Sequence, residues 1–106
     1  MASRAYFMVR AVVGDAALRE RFDAWYRDEH LPEAGVAFRV ESAMRFWSRS
    51  DPSVHIAMYG FKDLATAQHA TRPEVIAPLI KAFDDAFPTG VTRTRDYLAL
   101  AGEWKP

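Results

Sequence analysis

The sequence predicts an α+β, ferredoxin-like fold of element order β-α-β-β-α-β, a four-stranded antiparallel sheet with its helices on one face. Three observations carry this. Four short runs rich in β-branched and aromatic residues, opening at Tyr6, Val40, Val54 and Val91, are interleaved with stretches of helical spacing. The second and third runs are joined only by Ser50-Asp51-Pro52-Ser53, a turn that suits antiparallel pairing. The 106 residues split into two β-α-β halves, and a chain of this length supports one core far better than two, so a single domain over 1–106 is expected.

The elements follow in order. Tyr6 to Val13 is the first strand, ended by Gly14-Asp15, and Asp15 is placed to cap the next helix by accepting first-turn amide hydrogens. Ala16 to about His30 is helical: Leu18, Phe22, Trp25 and Glu29 share one face, while Arg19–Asp23 and Asp23–Arg27 are spaced i,i+4 on the other. Pro32 and Gly35 punctuate its end. Val40 to Ser48 forms the second strand, with Val40, Met44 and Phe46 on one face and Ala43 and Trp47 on the other. Val54 to Phe61 is the third. Asp63 caps a short helix over Leu64–Ala70, and Pro73 opens a longer one whose apolar stripe is Ile76, Leu79, Ile80, Phe83 and Phe87. Pro78 bends that helix or marks its true start. Pro88-Thr89-Gly90 breaks it, and Val91 to about Leu100 is the last strand.

Composition removes several function classes. Fourteen Lys and Arg balance fourteen Asp and Glu, so nucleic-acid binding lacks its electrostatic footprint. Cysteine is absent, which excludes disulfides, thiolate metal sites and cysteine nucleophiles. No apolar run is long enough to span a membrane, the N-terminus lacks the pattern of a signal peptide, and a cytoplasmic location is the expectation. Histidines at 30, 55 and 69 have no zinc-ligand spacing, and neither a glycine-rich phosphate loop nor a nucleophilic serine motif is present.

The strands are apolar on both sides. The first carries Tyr6, Met8 and Val12 against Phe7, Val9, Ala11 and Val13; the third carries Val54, Ile56 and Met58 against Ala57, Tyr59 and Phe61. A sheet covered by helices on one side only should alternate apolar with polar, so the uncovered face is expected to pack on a second copy as a homodimer.

One segment concentrates chemistry: Trp25-Tyr26-Arg27-Asp28-Glu29-His30-Leu31-Pro32. Asp28 and Glu29 fall at the predicted end of the first helix, where the helix dipole disfavours carboxylates. Glu29 also lies in line with the apolar stripe, so its carboxyl is expected to be paired, bonded to backbone amides or protonated. His30 follows it and lies i+4 from Tyr26, and a ring with an ordinary pKa near 6.5 moves protons at neutral pH. Acid, imidazole and phenol beside an apolar crevice make an acid–base site. The same residues also read as a helix-ending device, with His30 suited to the negative helix end and Trp25 and Tyr26 as core.

Trp25-Tyr26-x-x-Glu29-His30-Leu31-Pro32 after a first strand, with Ala43-Met44-Arg45-Phe46 on the second, resembles the EthD-like branch of the dimeric α/β-barrel superfamily. Where relatives usually carry Pro-Gly before the second strand, this chain has Ala37-Phe38-Arg39-Val40, which sets its loop path and pocket entrance apart. The resemblance implies two subunits joined sheet to sheet, and a cleft between helices and sheet faced by the motif histidine. It implies a small cofactor-free enzyme of cyclase, isomerase or dehydratase type acting on an apolar aromatic or polyketide-like molecule. His30 would then be acid or base, Tyr26 would bind or polarise an oxygen, and Glu29 would set local charge. A non-catalytic small-molecule-binding protein and a monooxygenase or haem degrader are the alternatives within that fold.

Trp25, Trp47, Tyr59 and His69 are further candidates for substrate contact, each with a plain reading beside it as core, interface or solvated helix end. His55 reads as a surface or interface residue near a turn. Arg10, Arg45, Arg93 and Arg95 lie on strands, where one could grip an anionic substrate or pair between subunits.

Overall fold

The computed structural model describes residues 4–106. Strands β1 (Ala5–Val13), β2 (Ser42–Trp47), β3 (Val54–Phe61) and β4 (Val91–Ala99) form one antiparallel sheet of order β2-β3-β1-β4. Helices α1 (Arg19–Trp25), α2 (Leu31–Phe38), α3 (Leu64–Ala70) and α4 (Pro73–Ala86) complete the ferredoxin-like fold. Asp15 caps as its position requires, accepting from Ala17 N at 2.9 Å, although the first turn it starts (Ala16–Leu18) is a 3₁₀ turn. Asp63 accepts from Thr66 N at 2.7 Å. Gly90, at φ +85°, makes the tight entry into β4 that a residue with a Cβ would strain.

The first helical region departs from the expected end at Pro32 and Gly35. Tyr26–His30 is a π-helical turn in which the Leu31 amide donates to the Tyr26 carbonyl, five residues back. The chain then continues as α2 with Pro32 near its start, and the missing amide hydrogen of Pro32 removes one rung of the helical ladder beside the wide turn. Gly35 is inside the helix, and Arg39 ends it in the left-handed region at φ 53°, its amide donating to Val36 O. Ala37 and Phe38 therefore belong to the last turn of α2, and Val40 packs against the core outside β2. In α4 the helix runs continuously from Pro73 with Pro78 inside it.

The wide turn has a consequence for burial. Phe22, Tyr26, His30, Ala34 and Phe38 are all buried, each four residues from the last. In an uninterrupted α-helix, positions four apart drift by about 40° per step. The additional residue taken up by the π turn offsets part of that drift and keeps all five on the sheet side. It also turns Glu29 outward: Glu29 is exposed, not part of the apolar stripe.

The core lies between helices and sheet. Alternate residues of β1, namely Ala5, Phe7, Val9, Ala11 and Val13, are buried there, and Phe22 meets Trp47, His55, Phe83 and Phe87 ring against ring. Asp23 ties α1 to β2 by accepting from Trp47 Nε1 at 2.8 Å and Arg45 Nη1 at 2.7 Å; Arg27 keeps its i,i+4 place at 3.7 Å. Arg19, expected beside Asp23, instead donates from Nε to the Val13 carbonyl.

The opposite face of the sheet is bare. The register places Met44, Met58 and Met8 in one row across three strands, and Phe46 and Ile56 in the next, with Phe46 49% and Met44 39% exposed. On the β4 side this face turns polar, through Thr92, Thr94 and Asp96.

Candidate active site

A cleft opens between the sheet and the helices. Its floor is Phe7, Val9 and Tyr59 with Arg93 and Arg95 from the edge strand β4; its roof is Tyr26, His30, Ala34 and Phe38, closed by Leu79 and Phe83 of α4. Counting its open mouth it holds about 330 Å³ of empty space. Only about 30 Å³ is available to solvent, room for about two water molecules, so an aromatic ring enters only if the α4 side chains part.

His30 is 7% exposed, and its Nδ1 is buried with no hydrogen-bond partner. Its ring stacks on Trp25 and meets Tyr26 edge-on at 5.0 Å and Phe83 at 5.6 Å. Burial in this aromatic box pushes its pKa down to about 4, with the Arg93 charge acting in the same direction. At neutral pH the ring is therefore uncharged. A buried nitrogen without a partner is uncommon in folded proteins, and the ring that carries it lines the cleft.

The Tyr26 hydroxyl lies 3.3 Å from the Tyr59 hydroxyl, a buried pair in which either can donate. Burial pushes the Tyr26 phenol up to about 12, the bond from Tyr59 partly opposing it; Tyr59 is also raised, mainly by burial and further by Tyr26. Both phenols hold their protons and act as donors, not as bases.

His55 is not at the surface. It is 1% exposed, on the helix side of β3 between Phe22, Tyr26 and Trp47, with Nε2 unpartnered and its pKa pushed down by burial to about 4. Alternation along β3 carried the signal, since His55 shares its face with Ala57, Tyr59 and Phe61. Its chain position beside a turn concealed it.

The structure thus brings together Tyr26, His30 and Tyr59 on one cleft. Trp25 stacks behind His30 and lines a separate outer groove with Asp28 and the exposed Glu29. Trp47 lines another hollow with Asp23 and Arg19, and His69 is exposed beside Arg39 and Arg72. His30 is mid-helix and not at a helix end, so the dipole argument does not apply to it. Arg93 and Arg95, read from sequence only as strand arginines, line the cleft; the alternation Val91, Arg93, Arg95, Tyr97 in register with Val13, Ala11, Val9 and Phe7 puts them there. Among the described residues no group of three His, Asp or Glu side chains is arranged to hold a metal ion, and no helix is long and apolar enough to cross a membrane.

Neither a protein-family model nor a curated protein matches the sequence. Solved structures do match in shape. A single-residue variant of SnoaB from Streptomyces nogalater, described as a cofactor-independent oxygenase, superposes with TM-score 0.69 at 14% identity, over 96% of this chain and 97% of that one. HapK from Hahella chejuensis gives TM-score 0.66 at 12% identity over 96% and 98%. An EthD family protein from Bacillus halodurans gives TM-score 0.61 at 14% identity over 86% and 96%. This chain shares their fold.

Proposed function

We propose that the protein is a small enzyme of proton-transfer type, acting without a bound cofactor on an apolar aromatic or polyketide-like molecule in the cleft beneath α4. The observation that carries this reading is that His30, whose buried Nδ1 has no hydrogen-bond partner, lines the same cleft as Tyr26 and Tyr59, whose hydroxyls are paired. A carbon acidified by a neighbouring carbonyl would lose its proton to His30, and the oxygen of the resulting enolate would accept a hydrogen bond from the tyrosine pair. An imidazole whose pKa lies near 4 is a weak base in the empty cleft. Negative charge growing on the substrate beside the ring raises that pKa, so basicity appears when the reaction needs it. Return of the proton from His30 to another carbon would complete an isomerisation; attack of the carbanion on a second carbonyl carbon of the same molecule, with the proton passed to the new alkoxide, a cyclisation; and loss of a β-hydroxyl as water with that proton, a dehydration.

Glu29, pointing outward, plays no direct part in this proton path; Trp25 holds the imidazole from behind. Two copies joined through the bare sheet face would complete the particle and bury Met8, Met44, Phe46, Ile56 and Met58. A second reading keeps the site and changes the co-substrate. SnoaB is described as a cofactor-independent oxygenase, and the carbanion His30 would generate is the electron-rich species that dioxygen would meet.

The test is hydrogen–deuterium exchange of 2-tetralone, whose ring-flanked methylene is acidified by its carbonyl, followed by proton NMR in D2O. The protein is expected to accelerate exchange, and His30→Gln to lower that acceleration by about 10²–10⁴-fold. No acceleration by the unaltered protein leaves a binding protein; full acceleration by His30→Gln removes His30 from the chemistry. Oxygen consumption in the same mixture favours the oxygenase.

A further inference from the structure

Beyond His30 and the two tyrosines the cleft lining is apolar, and it carries charge at one side only. Two arginines, Arg93 and Arg95, stand two residues apart on the same face of β4, roughly 7 Å from one another along the strand. Their situations differ. Arg93 is largely buried, pairs with Asp84 at 2.9 Å and lays its guanidinium over the Phe83 ring at 4.0 Å. Arg95 is the exposed member of the lining and has no ion pair or hydrogen bond among the described residues. The nearest acid in sequence, Asp96, belongs to the opposite face, in register with Met8. No carboxylate lines the cleft, so two positive charges against the single one on Asp84 leave its mouth with a net positive charge. Arg95 is exposed overall but partly withdrawn from solvent, and that partial desolvation and the neighbouring Arg93 charge both press against its protonated form, a cost a bound anion would relieve.

We infer that the molecule taken by this cleft is an organic acid, with a flat apolar body lying between Tyr26, His30 and Phe83 and a carboxylate held at the mouth by Arg95. A guanidinium offers two parallel N–H donors matched to a carboxylate, and a single net charge matches a monoanion better than a phosphate dianion. The inference names the substrate class for the cleft assigned above and rests on that assignment for what binds there, but not on turnover. Arg95 is thus a specificity-determining residue: it selects an acid over the corresponding neutral molecule, and it fixes which end of the substrate points out of the cleft.

The experiment is calorimetric titration of the full chain with 2-naphthoate and with 2-naphthamide, equal in shape and unequal in charge. The naphthoate is expected to bind about tenfold tighter or more. Arg95→Gln is expected to abolish that preference and leave 2-naphthamide affinity within about twofold. Arg95→Lys, which keeps the charge and loses the planar fork, should retain part of the preference. Naphthoate that fails to bind, binds no tighter than the amide, or keeps its preference in Arg95→Gln overturns the inference. His30→Gln separates the two readings. Preference for the acid that survives where proton exchange is absent upholds the charge assignment without the enzyme; exchange on 2-tetralone without any preference for the acid upholds the enzyme without it.

Discussion

The imidazole of His30 lies face to face with the indole of Trp25, ring centroids 4.5 Å apart and planes 17° from parallel. The stack closes the outer side of the imidazole, and Tyr26 and Phe83 meet it edge-on. It shows why a histidine next to two acidic residues in sequence is not paired with either. Asp28 and Glu29 are exposed, and the ring is turned away from them.

Acid should weaken the fold in a definite window. His30 and His55 both have pKa values depressed by burial to about 4, against an ordinary 6.5. Between those values the unfolded chain binds protons that the folded chain refuses, so stability rises with pH across the window and falls as pH drops from 6.5 towards 4. Each histidine contributes a loss on the order of 3 kcal/mol over the full window. Urea unfolding at pH 7 and at pH 4.5 measures it. His55→Phe, which fills the same aromatic site without an unpartnered nitrogen, should remove about half of the histidine share. An unchanged pH dependence in that variant would sink the assignment for His55. Asp23 acts in a separate, lower window. Its carboxyl is held below the usual range by the Trp47 bond and then by Arg45, so its contribution is present above pH 3.8 and lost below it.

The Tyr26–Tyr59 pair should behave as a unit. Tyr26→Phe or Tyr59→Phe leaves the other hydroxyl buried without its partner, at a cost of about 1–3 kcal/mol each. Removing both should cost less than the sum of the two, with a coupling of roughly 1 kcal/mol. Chemical denaturation of the two single variants and the double variant gives the coupling directly. Strict additivity would mean that the 3.3 Å contact holds nothing.

The bare sheet face should hold two copies together. Phe46, 49% exposed amid Met44, Ile56 and Met58, is where a charge would do most harm to such an interface and least to the folded chain. Sedimentation is expected to give a dimer for the unaltered protein and to shift Phe46→Glu towards monomer, with association weakened by roughly 10–10³-fold. A monomeric unaltered protein would dismiss the arrangement.

Local signals in the sequence determined the strands, the two aspartate caps, the apolar stripe of α4 and the two-sided character of β1 and β3, because period-two alternation and cap chemistry depend on neighbours along the chain. They also marked Tyr26 and His30 as a pair, since four-residue spacing survives almost any helical geometry. Tertiary packing decided the rest. Whether Pro32 ends a helix or opens one depends on whether the preceding turn is α or π, and burial of Tyr26 and His30 against the sheet settles that. The same turn sends Glu29 outward, against its place in an ideal stripe. The location of His55 within the core, the separation of Trp47 and His69 from the cleft, and the convergence of Arg93 and Arg95 on His30 all depend on contacts between segments far apart in the chain. Sequence spacing records which way a side chain faces from its own element. Only the packed fold decides what stands opposite it.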